Sequence, residues 1–346
     1  MKSVVSVAVR VVLSLCFVAQ AWPGVSRGEM PIPGLPSDAV PVTATDDLFH
    51  SEASLNTFLN ACGYEVGYSV VQLSSGRVLD RLADREVCLA SMVKVFCLTE
   101  LFRQAADGLD LDATTITVPG HGEQTLRAAA DLMIGISDND ATQALAEYLG
   151  RDRVNAIPEL MGIEGLSDQV LPSETRLHEV LDDRIQGKRT AAEGLPMHGT
   201  ARAMATFYER LYQHQVVSPQ VSRALLAFFK RHPKPFSRDY REAFAFAGKG
   251  GNILWTRPPR HYSMMGWGLL LTEPHGRPGE AAHDTLEGMQ ERGPIALCVW
   301  GEWFPAEMPP EEQQAFLSRV TDSLIATLEA PQRAAKRLEP ELILQL

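Results

Sequence analysis

Three short stretches of this chain carry residue types that can do nucleophilic chemistry together. In Leu89-Ala90-Ser91-Met92-Val93-Lys94-Val95-Phe96-Cys97, Ser91 and Lys94 stand three residues apart, so on a helix their side chains share one face. A serine hydroxyl is a weak nucleophile and needs an adjacent base. A lysine desolvated by apolar neighbours can be that base, because burial disfavours its charged form. A serine in the first turn of a helix also offers its own backbone N–H to a developing oxyanion. Alone the pattern decides nothing, since about one S-x-x-K arises by chance in a chain of this size.

The second stretch is Ser137-Asp138-Asn139, which follows the apolar run Met133 to Ile136. Ser137 can relay a proton to a leaving group and Asn139 can hydrogen-bond a substrate amide, while Asp138 pins the loop through backbone N–H groups. The same trio is ordinary capping chemistry for the helix that begins there. The third is Lys249-Gly250-Gly251-Asn252, expected at the end of an apolar strand from Ala243 to Gly248. The glycines, Gly251 among them, permit close backbone approach to a ligand. Lys249 supplies a cation for a carboxylate or for a nearby proton, and the Asn252 N–H can complete an oxyanion hole with that of Ser91.

These stretches need a frame to bring them together. A helix capped by Asp46 or Asp47 and stopped at Gly63 is followed by a hairpin, Glu65 to Leu73 and Arg77 to Leu82, around Ser74-Ser75-Gly76. From Ser91 to about residue 230 the pattern is mostly helical: after the apolar Ser91 helix come Gln124 to Ile136, Asn139 to Leu149, Thr200 to Gln213 and Ser218 to Lys230. An irregular piece from about Gly165 to Gly199 is long enough to be functional. Strands resume at Ala243 to Gly248, Tyr262 to Thr272 and Pro294 to Trp300, and a helix from Glu311 to Glu329 closes the pattern. The order predicts an α+β fold: an antiparallel sheet flanked by terminal helices, with an all-helical lobe (about 91–230) inserted in its middle.

S-x-x-K, then S-D-N, then K-x-G on a late strand is the ordered set of the penicilloyl serine transferases. Over residues 46–330 the chain resembles a class A β-lactamase or a close serine-hydrolase relative. Thr200-Ala201-Arg202-Ala203-Met204-Ala205 is similar to that family's T-P-R-x-M-A helix start, and Glu174-Thr175-Arg176-Leu177-His178 to its E-x-x-L-N segment. The resemblance implies Ser91 as nucleophile, Lys94 as its base partner, Ser137 as proton relay and Glu174 as the residue that directs deacylating water. It also implies substrate contacts from Asn139, Lys249, Gly251 and Asn252, a β-lactamase/transpeptidase-like fold, and no metal or cofactor. Departures are visible too. Gly250 stands where the family carries a carboxylate-binding Thr, a loss that Arg257 or Arg260 can offset with a guanidinium. His178 replaces an amide that holds the deacylating water. The Ser91-to-Ser137 stretch is short, and the Glu174-to-Thr200 loop is long. Hydrolysis of a β-lactam is the leading expectation. A D-amino-acid peptidase or esterase, or a penicillin-binding domain that acylates with little turnover, are the alternatives.

The whole chain agrees with a soluble enzyme acting on a small molecule. Its formal net charge is −11, from 43 acidic and 32 basic side chains, and no dense Lys/Arg block marks a nucleic-acid partner. Residues 1–21 read as a cleavable secretory signal, with Lys2, an apolar core from Val11 to Ala19 and an Ala19-Gln20-Ala21 cleavage site. That predicts a secreted or periplasmic monomer without stable membrane insertion. Pro31, Pro33, Pro36 and Pro41 make residues 22–45 an extended linker, and 331–346 a charged tail. Four cysteines remain after cleavage, Cys62, Cys88, Cys97 and Cys298, either as two bridges in one of three connectivities or as buried thiols.

Overall fold

The structure, a computed structural model, describes residues 51–62, 64–172, 179, 182, 196–232, 245–257, 260–272, 293–303 and 308–342, side chains at 245, 246, 256, 257, 260, 261 and 329–342 excepted. The expected signal, the linker and Glu174 lie outside these residues. Helix α1 (Glu52–Ala61) is capped by Ser51, whose side chain accepts from the Ser54 N–H; the cap is therefore later than Asp46 or Asp47. Strands β1 (Glu65–Gln72) and β2 (Arg77–Arg81) form the expected hairpin, Tyr68 facing Arg81 and Gln72 facing Arg77. A two-residue strand β3 (Val87–Cys88) leads into a tight 3-10 turn, Ala90–Val93, and then into helix α2 (Lys94–Ala106).

The next element corrects the expectation of an all-helical lobe. β4 (Thr115–Val118) and β5 (Gly122–Thr125) pair as an antiparallel hairpin. The β-branched run Thr114-Thr115-Ile116-Thr117-Val118 followed by Pro119-Gly120 is sufficient cause for it. Thr125 then caps α3 (Leu126–Gly135), which starts later than Gln124 for that reason. Helices α4 (Asn139–Leu149), α5 (Arg151–Asn155) and α6 (Ile157–Leu160) follow, then a short strand β6 (His198–Gly199) paired with β3, and helices α7 (Ala201–Tyr212) and α8 (Pro219–Arg231).

Strand β7 (Ala245–Arg257) is the second correction. It does not end before Lys249 but runs straight through the Gly-rich stretch, paired residue by residue with β8 (Arg260–Thr272), so that Lys249 faces Gly268 and Asn252 faces Met265. β9 (Ile295–Trp303) and helix α9 (Pro310–Leu342) complete the described chain; α9 continues past Glu329 into the stretch expected as a tail.

The five-stranded antiparallel sheet has the order β2-β1-β9-β8-β7. Its centre, β9, is buried at every position, and period-two alternation sends its side chains to two cores. Ile295, Leu297 and Val299 pack with Leu55, Leu59, Phe316 and Leu324 of the terminal helices. Ala296, Cys298 and Trp300 pack instead with Phe96, Phe207 and Tyr208 of the helical lobe. A continuous apolar run is what a strand covered on both faces requires. Each buried Ile, Leu or Val among them contributes about 1.5–3 kcal/mol. All four described cysteines are free and buried. Among the described residues no helix is long and apolar enough to cross a membrane.

Candidate active site

Ser91 sits in the 3-10 turn that leads into α2, not in a regular α-turn. The residue before it, Ala90, has φ +48°, a left-handed conformation that costs a non-glycine residue about 1–3 kcal/mol. Two contacts hold this turn. The Leu89 N–H donates to the Met197 carbonyl at 2.8 Å, which ties it to the segment preceding β6. On the other side Gly251 of β7 lies flush against it: a Cβ at Gly251 would stand 2.8 Å from the Leu89 oxygen and the Ser91 nitrogen and 2.9 Å from the Met92 nitrogen. All three atoms are backbone, so no side chain can yield. Glycine is required there for close approach of strand to turn, as expected, although the approach is to the protein's own backbone. Gly250 is different, since a Cβ there would meet only the Gly266 oxygen, at 3.7 Å.

Lys94, at the start of α2, is buried, with 3 % relative exposure. Its amine nevertheless lies among polar groups. It donates to the Ser137 carbonyl at 2.6 Å, the Asn139 Oδ1 at 2.7 Å, and the Ser137 Oγ and Asp138 carbonyl at 3.3 Å. The lysine thus bridges from α2 to the loop between α3 and α4.

That loop is shaped by its own residues. Ser137 has φ +62°, which turns the chain sharply after α3. Asp138 caps α4, its Oδ1 accepting from the Ala141 N–H at 2.7 Å, while the Thr142 hydroxyl donates to its carbonyl at 2.6 Å. The capping reading and the site reading of Ser-Asp-Asn are therefore both true, and of different atoms. The Asp138 carboxylate caps; Ser137 and Asn139 face Lys94. Burial pushes the Asp138 carboxyl up, but the Ala141 N–H, His121 and Lys94 together outweigh it and hold it below the usual carboxylate range.

Lys249 reaches the same hydroxyl from the sheet. Its ammonium donates to Ser137 Oγ at 2.9 Å and to the Gly250 carbonyl at 2.7 Å, and it too is buried, at 2 %. Two lysines from distant segments thus converge on Ser137 Oγ, a group that can pass a proton between an amine and a third partner. The structure brings together Lys94, Ser137, Asn139 and Lys249, and sets Gly251 against the Ser91 turn. Glu174 falls outside the described residues, as do the side chains of Arg257 and Arg260. Two features escaped the sequence reading: the left-handed Ala90, which nothing in the residue types announces, and His121 beside Asp138, which the β4–β5 pattern could have exposed. Among the described residues no group of three or more His, Cys, Asp or Glu side chains is placed to hold a metal ion.

The fold and this constellation define a β-lactamase-like hydrolase. The chain belongs to the beta-lactamase enzyme family, whose model matches residues 50–257. Solved structures agree on the fold. A beta-lactamase from Sphaerobacter thermophilus superposes with a TM-score of 0.58 at 20 % identity, covering 79 % of this chain and 95 % of that one. One from Chitinophaga pinensis gives 0.59 at 15 % identity, with 79 % and 97 % covered. A class A beta-lactamase from Mycobacterium abscessus gives 0.56 at 16 %, with 79 % and 98 % covered. No match to a curated protein sequence was found.

Proposed function

We propose that this chain is a secreted, class A-like serine β-lactamase that opens β-lactam rings through an acyl-enzyme on Ser91. The observation that carries the reading is the convergence of Lys94 and Lys249 on Ser137 Oγ, next to a strand whose Gly251 abuts the Ser91 turn. In the proposed sequence the Ser91 hydroxyl attacks the lactam carbonyl as Lys94 takes up its proton. The Ser91 and Asn252 N–H groups hold the oxyanion, and Ser137 protonates the leaving nitrogen while Lys249 steadies the substrate's carboxylate. Asn139 contacts the substrate amide, and Glu174 directs water at the acyl group. The substrate is a small molecule, and export through the N-terminal signal takes the monomer to the periplasm or beyond.

Hydrolysis of a chromogenic cephalosporin by the purified chain tests this. Ser91→Ala is expected to lose about 10³-fold or more of the rate, and Glu174→Ala to accumulate a mass-shifted acyl-Ser91 peptide. A chain that neither hydrolyses nor becomes acylated overturns the reading. Gly250 favours a second one, a D-amino-acid peptidase or esterase using the same serine, because no hydroxyl stands there for a lactam carboxylate. Turnover of D-alanyl esters without acylation by the cephalosporin would select it.

A further inference from the structure

The β4–β5 hairpin ends in Val118-Pro119-Gly120-His121-Gly122, and its tip is built to aim one side chain. The His121 N–H donates to the Val118 carbonyl at 3.0 Å, closing a turn with Pro119 and Gly120 at its centre. Gly120 and Gly122 have φ +74° and +73°, and a Cβ at either would meet nothing within 4 Å. Glycine is needed there for backbone conformation alone. A further bond from Gln124 Nε2 to the His121 carbonyl, at 2.8 Å, braces the tip. The result puts His121 Nε2 3.0 Å from Asp138 Oδ2, the His121 side chain being 34 % exposed and that of Asp138 17 %.

Asp138 is the pivot of the loop that carries Ser137 and Asn139. Its Oδ1 caps α4, its N–H donates to the Leu132 carbonyl at 3.1 Å, and its own carbonyl accepts from Thr142 and Lys94. Every one of these bonds fixes the loop along its own helices or towards Lys94. Oδ2 is the atom that faces outward, and His121 is what meets it. Ser137, one residue away, is held at φ +62°, so the loop depends on its surroundings to keep that conformation.

We propose that His121 is a positioning residue for the serine chemistry. By donating to Asp138 Oδ2 it fastens the S-D-N loop from outside and keeps Ser137 Oγ between Lys94 and Lys249. The consequence for rate rests on the Ser91 acyl-enzyme reading; the mechanical part does not. A residue acting through loop geometry should move the rate of acylation more than the binding of substrate, because small displacements of reacting groups cost rate steeply.

Two measurements on the full chain test this. In single-turnover acylation by a chromogenic cephalosporin, His121→Ala and His121→Phe are expected to lower the limiting rate about tenfold with the apparent dissociation constant and melting temperature little changed. His121→Gln, whose amide can donate from near the Nε2 position, should recover to within about twofold of the unsubstituted protein. In amide hydrogen exchange without substrate, the loop amides from Ser137 to Thr142 should exchange faster in His121→Ala and return to normal in His121→Gln. Unchanged loop exchange in His121→Ala overturns the brace whether or not the chain is ever acylated. Faster exchange with an unaltered acylation rate overturns the kinetic role. An unsubstituted chain that is not acylated at all overturns the Ser91 reading and the kinetic role with it, leaving the brace to stand or fall on exchange.

Discussion

Two adjacent glycines in β7 differ sharply in what they can become. Gly251 has Leu89, Ser91 and Met92 backbone atoms inside 3 Å of any added Cβ, whereas Gly250 has only the Gly266 oxygen at 3.7 Å. Gly251→Ala must therefore push β7 off the Ser91 turn. Its stability cost should be about 1–3 kcal/mol, typical of overpacking, while acylation should fall about 10²-fold, because the reacting groups shift with the strand. Gly250→Thr should fold within about 1 kcal/mol of the parent, a β-branched residue being at home in a strand. If the missing hydroxyl is what limits lactam recognition, that variant should lower KM for a penicillin without lowering kcat. Urea melts and steady-state kinetics on the pair check both. Equal behaviour of the two variants would remove the packing argument.

At the scale of elements, loops are held by caps and braces whose strengths can be ranked. Asp138 caps α4 and meets His121, and its side chain is only 17 % exposed. Asp138→Ala should cost about 1–2 kcal/mol at neutral pH. The folded carboxyl lies below its ordinary value, so this contribution is complete above the unfolded pKa of about 3.9 and fades as pH falls through the lower folded value. The stability gap between parent and variant should accordingly shrink in acid; a gap that widens there would show that the ionised carboxylate is not what stabilises the loop. Arg202 at the start of α7 is the contrasting case. It bonds Asp84 through Nε at 2.6 Å and Nη2 at 2.9 Å, and Asp80 through Nη1 at 2.7 Å. Yet its side chain is 46 % exposed and that of Asp84 73 %. Despite ideal geometry, Arg202→Ala should cost no more than about 1 kcal/mol, and less in 1 M salt.

What the residues disclosed follows the same division. S-x-x-K, S-D-N and K-x-G singled out Lys94, Ser137, Asn139 and Lys249, which the fold gathers within hydrogen-bond distance of one another; a side chain's type is written in the chain. Apolar runs rich in β-branched and aromatic residues disclosed the sheet for the same reason. The β4–β5 hairpin was legible in its Thr and Val residues and its Pro-Gly, but the helical pattern on either side outweighed so short a signal. Strand β7 looked finished at Lys249 because glycines usually mark turns; the turn packed against Gly251 explains why that glycine stands mid-strand. The direction of the Lys94 amine has a similar cause. Spacing gives a shared face, but the carbonyls of Ser137 and Asp138, far away in sequence, decide where the amine points.

At the scale of the whole molecule, the question is whether the inserted helical lobe and the sheet are one cooperative unit. Ala247, Leu270, Ala296, Cys298 and Trp300 of the sheet share a core with Phe96, Phe207 and Leu225 of the helices, so neither lobe can open without exposing apolar surface of the other. The free thiols report on this from both sides. Cys97 lies in the helical core and Cys298 on the sheet face against it, while Cys62 lies beneath the terminal helices. Burial pushes the Cys97 thiol up to about 12 and raises those of Cys62 and Cys298. Alkylating reagents attack the thiolate, so in the native chain these thiols should be inert at pH 8, and raising the pH to 9 should not make them react. In increasing urea, pulse alkylation followed by peptide mass spectrometry should show Cys62, Cys97 and Cys298 becoming reactive at one common midpoint, that of the loss of helical circular dichroism. If Cys97 were labelled at a lower urea concentration than Cys62, the helical lobe would open on its own. The shared core would then be too weak to bind the two lobes into one unit, and the loop carrying Ser137 could part from the strand carrying Lys249 without global unfolding.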